Sequence, residues 1–218
     1  MAAVSETIVR EYFELHGFFV RQQRKYVPHT KSIDEAVDFF VINPKPQPAE
    51  GELPFVLSSE HVRSLTRAVV AVRGWHTESF TPGVLSHAPE ILRFVEPKVF
   101  QKAAKAFGEE DAPAKVLVVP ELPQDPVVRE QSIALLRGRG VDAAIPFQVM
   151  LTDLIGQVEV NRNYQKSDLL QVIRILKIYG YFKEAQLELF KPRRPPSAHG
   201  RRGRNRPAPP EAKTPEGN

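Results

Sequence analysis

Two short runs, Ala68-Val69-Val70-Ala71-Val72 and Val116-Leu117-Val118-Val119, contain no polar residue at all. A strand with one wet face alternates apolar and polar residues. An unbroken run of four or five, rich in β-branched side chains, therefore predicts a strand buried on both faces. Such strands need helices above and below their sheet, which restricts the chain to a layered α/β architecture. A third run, Val37-Asp38-Phe39-Phe40-Val41-Ile42, ends at Asn43-Pro44 and has the same character apart from one acid. Phe18 to Tyr26 and Val141 to Ile145 read as two further strands, the first turning strongly basic toward its end.

The helix signals fall between these strands. Ser5 is the expected N-cap of a helix carrying Ile8, Val9, Tyr12, Phe13 and Leu15 up to Gly17. Pro97 opens an apolar stripe through Val99, Phe100, Ala103, Ala104 and Phe107 that stops at Gly108. Asp125-Pro126 starts a helix to about Arg137, and Ser167 caps another that runs to Tyr179 before Gly180. Shorter helices are expected from Ser58 or Ser59 to Leu65, from Pro89 to Val95 and from Phe147 to Ile155. The order is helix, three strands, helix, strand, helix, strand, two helices. That order predicts an α/β fold with a mixed central sheet flanked by helices, and many unrelated functions share such an arrangement.

Charge divides the 218 residues into two parts. From Lys191 to Asn218, eight Lys/Arg against two Glu leave a net of +6, while the other 190 residues hold 22 basic and 24 acidic side chains. This terminal stretch also holds seven of the twenty prolines and no large apolar residue, so the expectation is a disordered basic Pro/Arg-rich tail, 191–218. Its cluster Arg201, Arg202, Arg204 and Arg206 suits a phosphate backbone. The alternative is a solvated, solubilising segment. Cysteine is absent, which excludes disulfides, cysteine–zinc sites and cysteine nucleophiles. No apolar run reaches the roughly 18 residues of a membrane span, and Met1 to Arg10 lacks a signal-peptide pattern, so no membrane association and a cytoplasmic location are expected.

Asp38 is the acid that an apolar strand does not explain. Buried, it needs a cation or hydrogen-bond partner, and Arg73 is the natural candidate if the two strands adjoin. A structural ion pair and a metal ligand both remain open readings. Trp75 and His76 follow at the end of the Ala68–Val72 strand, Trp75 as core or stacking surface and His76 as an isolated histidine. Arg21, Arg24 and Lys25, beside Tyr26, can contact phosphates while the ring stacks on a base. Equally, they can be the polar end of an edge strand. Phosphate loops, nucleophile elbows and His-Glu-x-x-His zinc motifs are absent.

The order helix-strand-strand-strand-helix-strand, with Asp38 opening the second strand and Val69-Val70-Ala71-Val72-Arg73-Gly74-Trp75 as the third, resembles the restriction-endonuclease-like, or PD-(D/E)XK, nuclease superfamily. The resemblance spans roughly Ser5 to Ile145 and implies a restriction-endonuclease-like domain over 1–190. In that family an Asp on the second strand and a Glu-x-Lys on the third hold a divalent metal, Mg²⁺ or Mn²⁺, and activate water. Residues two apart on a strand share a face, so such a trio converges on one pocket. Here the Glu position falls on Ala71 and the Lys position on Arg73. Alanine has no ligand oxygen, and arginine does not replace lysine's compact ammonium. Glu6, Glu11 or Glu78 is then needed as a second carboxylate, Glu6 with Asp38 being the favoured metal pair. What the resemblance implies is a nucleic-acid-binding protein with Asp38 and Arg73 at the catalytic position and weak metal-dependent phosphodiester cleavage. The alternative is a catalytically inactive scaffold that binds a protein partner, with no cofactor.

Overall fold

The computed structural model describes residues 2–23, 36–48, 51–108 and 112–182. Five strands form one sheet in the order of the chain: β1 (Phe19–Gln22), β2 (Phe39–Ile42), β3 (Arg67–Val72), β4 (Ala114–Val119) and β5 (Ala143–Pro146). β1, β2 and β3 pair antiparallel, with Phe39 opposite Val70 and Ile42 opposite Arg67, and β3, β4 and β5 run parallel. The sheet is mixed, as expected, and the two uninterrupted apolar runs are its central strands. Ala68 to Ala71 and Val116 to Val119 are completely buried.

The helices in chain order are α1 (Ala2–Leu15), α2 (Ser59–Val62), α3 (Pro82–His87), α4 (Pro97–Ala104), α5 (Pro126–Gly138), α6 (Phe147–Gln157) and α7 (Asp168–Ile178), with a 3-10 helix over Pro89–Val95. Two parallel crossovers step the same way across the sheet, β3 to β4 and β4 to β5. Right-handed connections in one direction place both on one face. The core on that face joins Val69, Ala71, Leu117 and Val119 to Ile91 and Phe94 of the 3-10 helix, Val99 of α4 and Ile133 and Leu136 of α5. α1 packs on β1 and β3 and against α6 and α7, supplying the buried Val9, Tyr12 and Phe13.

Local capping signals were followed where the expected cap meets a free helix start. Asp125 accepts from Val128 N–H, and Ser167 accepts from Leu170 N–H. Ser5 departs from the expectation. α1 begins at Ala2, so Ser5 sits inside the helix, where its hydroxyl lies 3.0 Å from His76 Nε2. Gly17, with φ of 82°, ends the helix as expected. α3 was not anticipated; Thr81 caps it through Val84 N–H. β1 is shorter than Phe18 to Tyr26, and Arg24, Lys25 and Tyr26 lie outside the described residues. The outer edge of β5 is covered by an isolated bridge from Val56 to Ala144, leaving β1 as the open edge among the described residues.

Met1–Tyr181 is one compact unit. The expected boundary at 190 and the tail 191–218, with Arg201, Arg202, Arg204 and Arg206, lie outside the described residues. Among the described residues no helix is long and apolar enough to cross a membrane.

Candidate nucleic-acid interface and the closed site at Asp38

β2 and β3 adjoin, and their junction bulges at Asp38. Val70 is the register partner of Phe39, yet the N–H of Asp38 donates to the Val70 carbonyl at 3.0 Å. Two residues of one strand thus face one of the other, the pattern of a β-bulge, which re-aims the side chain it carries. The Asp38 carboxylate then takes the next backbone donor along β3: Val72 N–H donates to Oδ2 at 2.7 Å.

The same oxygen receives the Arg73 guanidinium, Nη1 to Oδ2 at 3.2 Å, with side chains only 12% and 3% exposed. Arg73 does more than neutralise the acid. Nη1 also donates to the Val72 carbonyl at 2.9 Å, and Nη2 donates to the carbonyls of Ala36 at 3.2 Å and Glu90 at 3.5 Å. One side chain therefore ties β3 to the approach of β2 and to the 3-10 helix. Burial pushes the guanidinium below its usual pKa, and the Asp38 carboxylate opposes that shift. An arginine starts so far above neutrality that it keeps its charge.

This donor set does not fit Mg²⁺ or Mn²⁺. Both ions need several oxygen ligands. Ala71 supplies none and is wholly buried in the helix-side core. Asp38 Oδ2 is occupied by an N–H and a cation, and a fixed guanidinium at that distance repels a divalent ion. Glu6, on α1, accepts from Gln22 Nε2 of β1 at 2.7 Å. Glu11 is buried beside Arg10, 3.6 Å away, and Glu78 is exposed in the turn after β3. Among the described residues no group of three or more His, Asp or Glu side chains gathers to hold a metal.

Trp75 is half-buried and meets Phe80 edge-on at 5.9 Å, a packing role. His76 is exposed, hydrogen-bonded to Ser5 and stacked edge-on against Phe147 at 4.6 Å. Gly74 explains why this segment lies so close to α1: a Cβ there would fall 2.2 Å from Ser5 Oγ.

Of the sequence-predicted cations, Arg21 is described. It is exposed on the open edge strand, with its guanidinium carbon 5.8 Å from the centre of the Phe40 ring. It lines a cleft of about 160 Å³ together with Gln23, Phe40, Val99 and Lys102. Lys102 was missed by sequence reasoning. It lies on the polar side of the Pro97 helix, where a lysine carries no signal of its own, and only the docking of α4 beside β2 brings it to Arg21.

No protein-family model matches the chain, and no solved structure matches it. A UvrABC system protein C from Streptomyces griseus is 34% identical over 119 residues, 52% of this chain. The chain spans about 14% of the length of that relative, so the likeness is to a small part of a much longer protein.

Proposed function

We propose that this chain binds nucleic acid on a restriction-endonuclease-like body whose metal position has been replaced by an ion pair. The observation that carries the reading is Arg73: it stands two residues after Ala71 on the third strand and contacts Asp38 at 3.2 Å, where an active relative would hold metal. The antiparallel β1-β2-β3 meander followed by the parallel β4 supports the resemblance. Partial likeness to UvrABC system protein C is compatible with a nuclease-like fold. The groove at the open edge, with Arg21 and Lys102 on its rim and Phe40 in its floor, offers cations for phosphates and a ring for stacking. The basic C-terminal stretch adds sequence-independent attraction.

Fluorescence anisotropy with labelled single-stranded and duplex DNA and RNA, repeated over a range of salt, tests the reading. Binding that weakens steadily with salt is expected, with no cleavage when Mn²⁺ is added. If no nucleic acid binds at low salt, the inactive protein-interaction module takes its place. If Mn²⁺ supports cleavage that is lost in Asp38→Ala, the position is open to metal and the ion-pair reading falls.

A further inference from the structure

Beyond the opposite end of β2, where the chain leaves the sheet at Ile42, lies a second polar constellation. A pocket of about 180 Å³ is lined by His16, Asn43, Lys45, Gln47 and Arg63, with Leu15 as its one apolar wall. Its walls are built. Asn43 Nδ2 and Gln47 N–H both donate to the Arg63 carbonyl, at 2.9 and 3.0 Å. Lys45 N–H donates to Asn43 Oδ1 at 3.0 Å, and Asn43 N–H donates to the Thr66 carbonyl at 2.8 Å. These bonds fix the loop that carries Lys45 against the turn that carries Arg63.

The charges are unbalanced. Among the described residues neither Lys45 nor Arg63 has an acidic partner; the Arg63 side chain has one hydrogen bond, Nε to His16 Nδ1 at 3.5 Å. His16 closes the back of the pocket, its side chain only 2% exposed. Its Nε2 bonds to Asp153 Oδ2 on α6, an oxygen also held by Gln157 Nε2 at 2.8 Å. A carboxylate only accepts, so the proton lies between His16 Nε2 and Asp153, and Nδ1 is the nitrogen turned toward Arg63. Tyr12 fixes the ring from the other side, centroid to centroid 4.7 Å.

We infer that this pocket binds a phosphate group, with Lys45 and the outer nitrogens of Arg63 as its charged donors and the Asp153-held His16 as its floor. Two unpaired cations on a rigid loop and turn match the tetrahedral oxygens of a phosphate, and arginine offers a fork of parallel donors. The site lies at the other end of β2 from Asp38 and stands whether or not the chain binds nucleic acid.

Calorimetric titration of the full chain with inorganic phosphate, at ionic strength held constant with chloride, is the test. One phosphate per chain is expected, with affinity about tenfold weaker in Lys45→Ala and in Arg63→Gln, the loss of one charge-assisted bond. Both side chains are exposed, so the variants should melt like the wild type without phosphate. The ¹⁵N resonance of His16 Nδ1 should move on addition of phosphate in the wild type and stay in place in Arg63→Gln. A second titration separates the sources of the group. Preference for a 5′-phosphorylated oligonucleotide over its unphosphorylated twin, lost in both variants, identifies a strand end. Equal binding of the two, with inorganic phosphate still bound, identifies a small phosphorylated ligand. Absence of saturable phosphate binding, or equal binding by wild type and both variants, overturns the inference.

Discussion

At one end of β2 an arginine is turned inward, and at the other an arginine and a lysine face an open pocket. Arg73 has an acid, three carbonyls and little water around it. Arg63 and Lys45 are exposed; the fold holds them by backbone hydrogen bonds and by one contact from Arg63 Nε to His16, with no acid against either charge among the described residues. The same kind of cation is structural in the first place and available in the second. Burial makes the difference: a buried charge must be satisfied by protein before folding is favourable, whereas an exposed charge is satisfied by water until a ligand displaces it.

The comparison is broken most severely by Asp38→Ala. It strands the Arg73 guanidinium without its anion, and chemical denaturation should show a loss of about 3–5 kcal/mol. Lys45→Ala at the other end should stay within about 0.5 kcal/mol of wild type. Equal losses at both ends would erase the distinction.

Alkali probes the packing behind the open pocket. Tyr12 is wholly buried beside His16, and burial pushes its pKa up to about 12 from 10.0. The folded protein therefore holds this proton more tightly than the unfolded chain. The corresponding stability is complete below pH 10 and is lost as pH rises through about 12, amounting to about 2–3 kcal/mol. Denaturation across that window should show the fall, and Tyr12→Phe should flatten it, since the variant has no phenol to titrate.

Gly74→Ala tests how tightly the closed end is seated on α1. Its Cβ would meet Ser5 Oγ at 2.2 Å and Ser5 Cβ at 2.9 Å. A cost of about 1–3 kcal/mol is expected in the melting curve, in the range for overpacked sites. Adding Ser5→Gly should recover most of it, and no recovery would place the strain elsewhere.

The smallest effect belongs to the groove at the edge strand. Arg21→Ala should leave the melting temperature unchanged and lower the salt slope of nucleic-acid binding by about one. An unchanged slope would remove Arg21 from the interface.

The layered α/β fold was legible in Ala68–Val72 and Val116–Val119, because only a strand covered on both faces tolerates so short a run with no polar residue. Helix starts at Asp125 and Ser167 were legible for a related reason: a cap acts within three residues, so its signal is local. The same local logic misread Ser5, whose hydroxyl is engaged by His76, 71 positions away. At the candidate site, Asp38 and its pairing with Arg73 could be inferred from one acid in an apolar strand and one cation on the next. The bulge that turns the carboxylate onto Val72 N–H could not.

What the amino-acid sequence determined by itself is the layer architecture and the concentration of positive charge after residue 190. Each follows from residue type alone or from neighbours a few positions apart. Tertiary structure alone decided that His16 meets Asp153 across 137 positions, that Arg63 and Lys45 share a pocket, and that Lys102 stands beside Arg21. Those meetings depend on how α1, α4 and α6 settle on the sheet. Helix docking is governed by the total apolar surface buried, a sum over many side chains to which no single polar residue in the sequence bears witness.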